Sequence, residues 1–269
     1  NLRKKIRILN PGAILPGWRP GEPKEAKPKY SIVSQSVREM ETAKDPDTEI
    51  VYKDVLDAVG PHVEQYHEAD LAGIVYAREA LKAEKDGFDG VMIVCFAEPG
   101  IIAARELCTI PVIGAHCAAI HVASMLGNKF SIVIAGGDRI AGPHSRTMLM
   151  DCIRRYGMES RLASIRFIDV PPTGANVALL PEKDLKEFQE KALEEAKKAI
   201  EEDGAEVIIA YGGSYPYLKE NLDVPVVSIP VALLKMTEAI VRMGLTHSKK
   251  AYPKPRIPHT YYLSEKPPT

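Results

Sequence analysis

Three segments place polar or small residues at the ends of apolar runs, where side chains are free to do chemistry. The segments are Asn10 after Ile6–Leu9, Cys95-Phe96-Ala97 after Val91–Val94, and Tyr211-Gly212-Gly213-Ser214 after Val207–Ala210. Short β-branched runs predict buried parallel strands, and ligands of such sheets gather at the carboxyl ends of the strands. The sequence therefore predicts that these segments contribute to a ligand site.

Cys95 carries the most reactive side chain of this set. The thiol closes an apolar strand, and Pro99 suits the first position of a following helix. Free backbone N–H groups and the positive end of a helix lower the pKa of a neighbouring thiol, so this position is compatible with a functional role for Cys95. The alternative is a small core residue at a strand end, a common place for cysteine.

The other polar residues predict chemistry without a metal or a cofactor. The seven histidines lack metal-ligand spacing such as His-Glu-x-x-His, and neither a dinucleotide fingerprint nor a Walker motif is present. Asn10 before Pro11 also suits a turn, and Gly212-Gly213 suits either a tight turn or an anion-binding nest. No chemistry is expected at the remaining cysteines, which are Cys108, Cys117 and Cys152.

The elements that must position these residues alternate along the chain. Further strands are expected at Pro111–Ile113, Phe130–Ile134 and Pro225–Ile229. Helical patterns are expected at Leu71–Lys85, Ala118–Leu126, Arg146–Tyr156, Lys183–Glu202 and Val231–Met243. Strands that alternate with helices of this length predict an α/β fold with doubly wound parallel sheets.

An internal repeat predicts two similar halves. The segment Asp86–Cys95 aligns with Asp203–Gly212 at an offset of 117 residues, and the same offset pairs Pro99 with Pro216. We expect residues 1–115 plus 226–269 to form the first half and residues 116–225 the second. A Pro-rich insertion at residues 11–30 and an extended C-terminal tail at residues 249–269 interrupt or follow the first half.

The composition of the chain limits the kinds of partner that it can bind. Lys and Arg number 35 and Asp and Glu 36, a net charge of −1 that argues against nucleic acid binding. No apolar run approaches the ~20 residues needed to span a membrane. Four cysteines without a Cys-x-x-Cys pair predict a reduced, cytoplasmic protein. We expect a homo-oligomer, in which the extended, Tyr-containing tail either crosses a neighbouring subunit or forms a disordered end.

These segments together resemble the hydantoin racemase branch of the aspartate/glutamate racemase superfamily. The matching stretches include Ile6–Pro11, Gly90–Glu106, Ile110–Gly114, Tyr156–Pro171 and Gly244–Lys249. The resemblance implies two pseudosymmetric α/β halves with the active site in the cleft between them. It also implies cofactor-independent proton transfer by two facing cysteines through an enolate, with Cys95 as the first thiol. The substrate-binding positions that we expect are Asn10, Phe96, Ala97, Tyr211, Gly212, Gly213 and Ser214.

The sequence departs from the family pattern at the second thiol. The family motif resembles Gly-Cys-Ala-Gly, and both this motif and the internal repeat align Gly212 with the missing cysteine. One hypothesis is a racemase acting on a small carboxylate or cyclic imide, with Tyr211, Tyr215, His116 or a water as second acid and base. A second is a one-thiol enzyme similar to arylmalonate decarboxylases, in which Cys95 protonates one face. A third is a non-catalytic ligand-binding relative.

Overall fold

The computed structural model of the chain describes residues 5–12, 32–55, 63, 65–135, 142–168, 182–210 and 212–256. The Pro-rich insertion beyond residue 12, Tyr211 and the tail from residue 257 lie outside the described residues, and with them the expected contact of the tail with a second subunit.

Eight strands alternate with eight α-helices in the described residues. In chain order they are β1 (Ile6–Gly12), α1 (Ile32–Ala43), β2 (Thr48–Asp54), α2 (Tyr66–Lys85), β3 (Gly90–Ile93), α3 (Ile101–Leu107), β4 (Val112–Gly114), α4 (Ala115–Leu126), β5 (Phe130–Ala135), α5 (Gly142–Arg155), β6 (Leu162–Ile168), α6 (Glu182–Glu201), β7 (Val207–Ala210), α7 (Tyr215–Asn221), β8 (Val226–Ser228) and α8 (Ile229–Arg242). None of these helices is long and apolar enough to cross a membrane.

The strands form two parallel four-stranded sheets with the same topology. Their orders are β2-β1-β3-β4 and β6-β5-β7-β8, so each strand of the first sheet has a counterpart four strands later. Every residue of β3, β4 and β7 is buried, as unbroken apolar runs predict for strands covered on both faces. The predicted α/β fold with two similar parallel-sheet halves is confirmed.

The internal repeat corresponds to one repeated helix-to-strand connection. α2 and α6 are each followed by an Asp-Gly pair, and the glycines, Gly87 and Gly204, both have φ +76°. Glycine adopts this left-handed conformation without the clash of a side chain, so it ends the helix and directs the chain into β3 or β7. The same local chemistry therefore builds the same turn twice.

The two sheets share one central core. α4 and α8 pack against each other, α4 also packs on β5 and β7, and α8 packs on β3 and β4. The cluster between the sheets includes Ile8, Ala119, Phe130, Ile132 and Leu233, all fully buried. The helix that follows the last strand of each sheet thus covers the other sheet: α4 packs on the second sheet and α8 on the first.

Ion pairs and strand pairing attach α8 to both halves. Asp45, after α1, contacts Lys235 Nζ at 2.8 Å and Arg242 Nε at 3.2 Å, and Asp47 contacts Arg242 Nη2 at 2.6 Å. β8, directly before α8, pairs with β7 in the second sheet. The division of the chain at residues 115 and 226 stays a prediction, and the pairing of β8 places Val226–Ser228 with the second sheet.

Several elements were not predicted from the sequence. β2 and β6 are edge strands, and in β6 most residues are only partly buried, so neither shows an unbroken apolar run. α3 and α7 are seven residues long, too short for a helical period to stand out. β1 also continues through Gly12, so Asn10 lies within the strand rather than after it, because β1 pairs with the full length of β2.

Candidate active site

Cys95 begins a tight turn after β3. The Glu98 N–H donates to the Cys95 carbonyl at 3.0 Å, and the Ile101 N–H donates to the Glu98 carbonyl at 3.3 Å. α3 therefore starts at Ile101 with Gly100 as its N-cap. Pro99 lies in the connection before the helix and does not open it, which corrects the expected helix start.

The thiol of Cys95 has a raised pKa, contrary to the expectation from its strand-end position. Burial raises the pKa of Cys95 to about 11, and the charge of Glu98 adds to this increase. The N–H groups of Ala97 and Glu98 act in the expected direction and lower the pKa, but desolvation of the thiolate is the larger effect. Cys95 is therefore a protonated thiol at neutral pH, suited to donate a proton.

Glu98 anchors the turn that carries Cys95. Its backbone has φ +51°, and its side chain is fully buried. Oε1 accepts the Cys117 N–H at 2.7 Å, and Oε2 accepts the Tyr156 O–H at 2.5 Å. A Cβ at Gly114 would collide with this carboxyl group, so the end of β4 leaves room for Glu98 only because it is glycine.

Other groups from the helices surround the same turn. Arg155 Nη1 lies 3.6 Å from Glu98 Oε2, and the Cys152 thiol donates to the Ala97 carbonyl at 3.4 Å. Arg105 lies over the ring of Tyr156, 5.9 Å from its centroid. These residues were not predicted, and Cys117 and Cys152 had been assigned no role. The sequence signal that could have indicated this cluster was Glu98 itself, a charged residue between Cys95 and Pro99.

Asn10, Phe96 and His116 surround the carboxyl end of the first sheet. Asn10 is buried on β1 beside β3, and its Oδ1 has no hydrogen-bond partner among the described residues. Phe96 is buried and stacks on His116, with the ring centroids 4.4 Å apart. Burial lowers the pKa of His116 to about 3. A histidine that stays neutral at physiological pH is a poor candidate for the second proton donor.

The corresponding turn of the second sheet differs in structure and in chemistry. After β7, Gly212–Ser214 forms a 3-10 turn, and α7 begins at Tyr215. Gln189 Nε2 donates to the Gly213 carbonyl at 3.1 Å, and Ser214 is fully buried. Tyr211, predicted to belong to this segment, lies outside the described residues.

A carboxylate that was not predicted reaches the carboxyl end of the second sheet. Ser228 ends β8, where it pairs with Ala210 of β7, and its hydroxyl donates to Glu39 Oε2 at 2.5 Å. Glu39 lies on α1, which packs against the 3-10 turn at Gly212–Ser214. Among the described residues, a titratable side chain thus lies at the carboxyl end of each sheet, Cys95 in the first and Glu39 in the second. In the part of the chain that the structure describes, no group of His, Cys, Asp and Glu is arranged to hold a metal ion.

Comparisons with known proteins agree with this architecture. A family model described as Asp/Glu/Hydantoin racemase matches residues 30–244. The hydantoin racemase of Pseudomonas sp. (strain NS671) is 33% identical over 257 residues, which cover 93% of this chain and 92% of that protein. The solved allantoin racemase from Klebsiella pneumoniae is 27% identical, with a TM-score of 0.74 over 96% of this chain and 98% of that one. A crystal structure of arylmalonate decarboxylase shares the fold, with 16% identity and a TM-score of 0.53 over 88% of this chain and 92% of that one.

Proposed function

Because this chain belongs to the Asp/Glu/Hydantoin racemase family, an isomerase family, we propose that it racemises or epimerises small substrates without a cofactor. The reacting carbon is α to a carboxylate or to the carbonyl of a hydantoin, and the reaction passes through an enolate. We propose 5-substituted hydantoins, the class that includes allantoin, as the first substrates to test. A homo-oligomeric state and a cytoplasmic location stay predictions.

The observation that carries this proposal is the position of the Cys95 thiol, which begins the turn after β3 that the Glu98 N–H closes at 3.0 Å. Its pKa of about 11 keeps the proton on sulfur until a strong base, such as an enolate carbon, forms beside it. In one direction the thiol protonates the enolate, and in the other the resulting thiolate removes the α-proton. Phe96 and Ala97, in the same turn, define the wall of the site next to this sulfur.

Asn10 supplies a binding group for a cyclic imide. A buried carbonyl oxygen without a partner costs free energy, and a ligand N–H would remove this cost. Hydantoin rings present N–H groups beside the reacting carbon, whereas a carboxylate presents only acceptors to an amide oxygen. Among the residues that the structure describes, the Asn10 Oδ1 has no hydrogen-bond partner, and this favours a hydantoin over a simple carboxylate.

The second face requires an acid and base other than a thiol, since Gly212 has no side chain. We assign this role to Glu39, which Ser228 holds at the end of β8 beside the Gly212–Ser214 turn. Glu39 takes the α-proton from one enantiomer, and Cys95 then protonates the opposite face of the enolate. The enzyme is left with a protonated Glu39 and a Cys95 thiolate, the form that converts the other enantiomer.

A one-thiol decarboxylase is the second candidate, and the state of Cys95 favours it specifically. Loss of CO2 from a malonate leaves an enediolate that needs one proton on one face, which a protonated thiol delivers without a second base. The glycine at position 212 is compatible with this reaction. The two candidates differ in whether a proton is exchanged on both faces of the substrate.

Exchange in heavy water separates the two candidates. Each enantiomer of a 5-substituted hydantoin is incubated with the protein, and deuterium at the α-carbon and the enantiomeric ratio are followed by NMR and chiral chromatography. A racemase gives deuterium in both enantiomers, above a control without protein. The Glu39→Gln variant should exchange at least ~100-fold more slowly, because one of its two bases is lost.

The decarboxylase predicts a different pattern of products. An arylmalonate would be converted to a single enantiomer, labelled on the face that Cys95 protonates, while the hydantoins would exchange no more than in the control. That pattern, or wild-type exchange in Glu39→Gln, contradicts the proposed two-base racemase.

A further inference from the structure

Glu98 carries a buried carboxyl group beside Cys95 that the proposed reaction does not use. Its φ of +51° is a left-handed conformation that few residues other than glycine adopt. The carboxyl group is nevertheless completely enclosed, with no exposed surface on the side chain. A buried carboxyl group in an uncommon backbone conformation persists only where its contacts compensate for both costs.

Those contacts come from distant parts of the chain. The Cys117 N–H at the start of α4 and the Tyr156 O–H after α5 donate to its two oxygens at 2.7 and 2.5 Å. Arg155 Nη1 lies 3.6 Å away, and the positive charge of Arg105 on α3 also acts on the carboxyl group. Three helices are therefore connected to one side chain.

The same residue closes the turn that begins at the thiol. The Glu98 N–H donates to the Cys95 carbonyl at 3.0 Å, so displacement of Glu98 would open the turn and move Cys95. Burial raises the pKa of the Glu98 carboxyl group, and in its ionised form the charge of this group opposes formation of the Cys95 thiolate. The other groups that face this pair among the described residues are Arg105, Cys117, Cys152, Arg155 and Tyr156.

We propose that Glu98 is the positioning residue of Cys95. It acts through the hydrogen bonds that hold the Cys95–Glu98 turn and, in its ionised form, through the negative charge that it places beside the thiol. The inference rests on the proposed role of Cys95, but its effect on the thiol is measurable without any substrate.

Alkylation of Cys95 as a function of pH tests the proposal. The rate for the Cys95 peptide is followed by mass spectrometry, and its midpoint in the wild type should lie near the pKa of about 11. In Glu98→Gln the shape of the side chain is retained and the charge is lost, so the midpoint should fall by about one pH unit. A midpoint equal to that of the wild type would overturn the proposal, whether or not a substrate has been found.

Glu79→Gln is the matched control. Glu79 is a buried carboxylate on α2 that pairs with Lys53 and Lys82, and none of its ion pairs among the described residues involves the Cys95–Glu98 turn. If the loss of any buried charge were enough to shift the alkylation midpoint, both variants would show the shift. The proposal requires a shift in Glu98→Gln and none in Glu79→Gln.

Tyr156→Phe provides a second test if Glu98 variants fold poorly. It removes one donor to Glu98 but keeps the aromatic ring that packs against His121. With the substrate that deuterium exchange identifies, kcat should fall about tenfold and KM should change less than threefold. The reason is that the turn is loosened while no substrate contact is lost. Wild-type kcat together with a wild-type midpoint for alkylation would contradict the positioning role.

Discussion

The turn after β3 and the turn after β7 occupy equivalent places in two sheets of identical order, yet they differ in nearly every chemical respect. The first presents the Cys95 thiol and is held by the buried Glu98 carboxyl group. The second presents Gly212, and the amide of Gln189 holds its backbone. In the repeat, Tyr215 occupies the position of Glu98 and begins a helix there.

The ends of β4 and β8 show a related difference. Gly114 ends β4 and leaves space for Glu98, whereas Ser228 ends β8 and bonds to Glu39. A carboxyl group thus reaches each sheet end, but from the strand-end turn in the first half and from α1 in the second. The scaffold is thus duplicated while the chemistry is not. The two faces of a substrate would therefore meet different acids and bases.

Loss of the thiol should have the largest effect. Cys95→Ala should lower racemisation or decarboxylation by at least ~1,000-fold with little change in stability, because proton transfer is lost while the turn keeps its backbone bonds. The measurement is turnover of the substrate found by deuterium exchange, with circular dichroism to check the fold. Cys108→Ala, at the buried cysteine that follows α3, is the control and should retain turnover. Full activity in Cys95→Ala would reduce Cys95 to a core residue.

Making the two turns alike should have an intermediate effect. Gly212→Cys restores the thiol that the repeat and the family motif place there, so exchange on the second face should rise about tenfold. Deuterium incorporation into each enantiomer measures the rate on each face. A folded variant with an unchanged rate would argue against Cys95 and Gly212 facing each other across one cleft, which stays a prediction.

Substitutions in the helix-to-strand connections should have the smallest effect, and they should lower stability equally in both halves. A Cβ at Gly87 or Gly204 meets no atom within 4 Å, so an alanine there introduces only the strain of a left-handed backbone. Gly87→Ala and Gly204→Ala should each lower the free energy of unfolding by ~1 kcal/mol. Urea denaturation measures both. If the two variants differed in free energy of unfolding by more than ~1 kcal/mol, the two connections would not be equivalent.

Much of the fold was predictable because its signals are local. Buried parallel strands appear as unbroken apolar runs, and the Asp-Gly pairs after α2 and α6 mark turns that the backbone of glycine permits. The edge strands β2 and β6 were missed because one side of an edge strand faces solvent, which interrupts the run. Cys95 and Gly212 could be singled out because the repeat aligns them.

The sequence by itself thus determined the α/β architecture, the duplication and the position of the thiol. Only the tertiary structure decided the state of that thiol and the groups that control it. Glu98 meets Cys117 and Tyr156, which lie 19 and 58 residues further along the chain, and no local pattern encodes such meetings. The pKa of Cys95 rises rather than falls for the same reason: desolvation depends on all the elements packed around the sulfur, whereas the N–H groups that lower the pKa are adjacent in sequence.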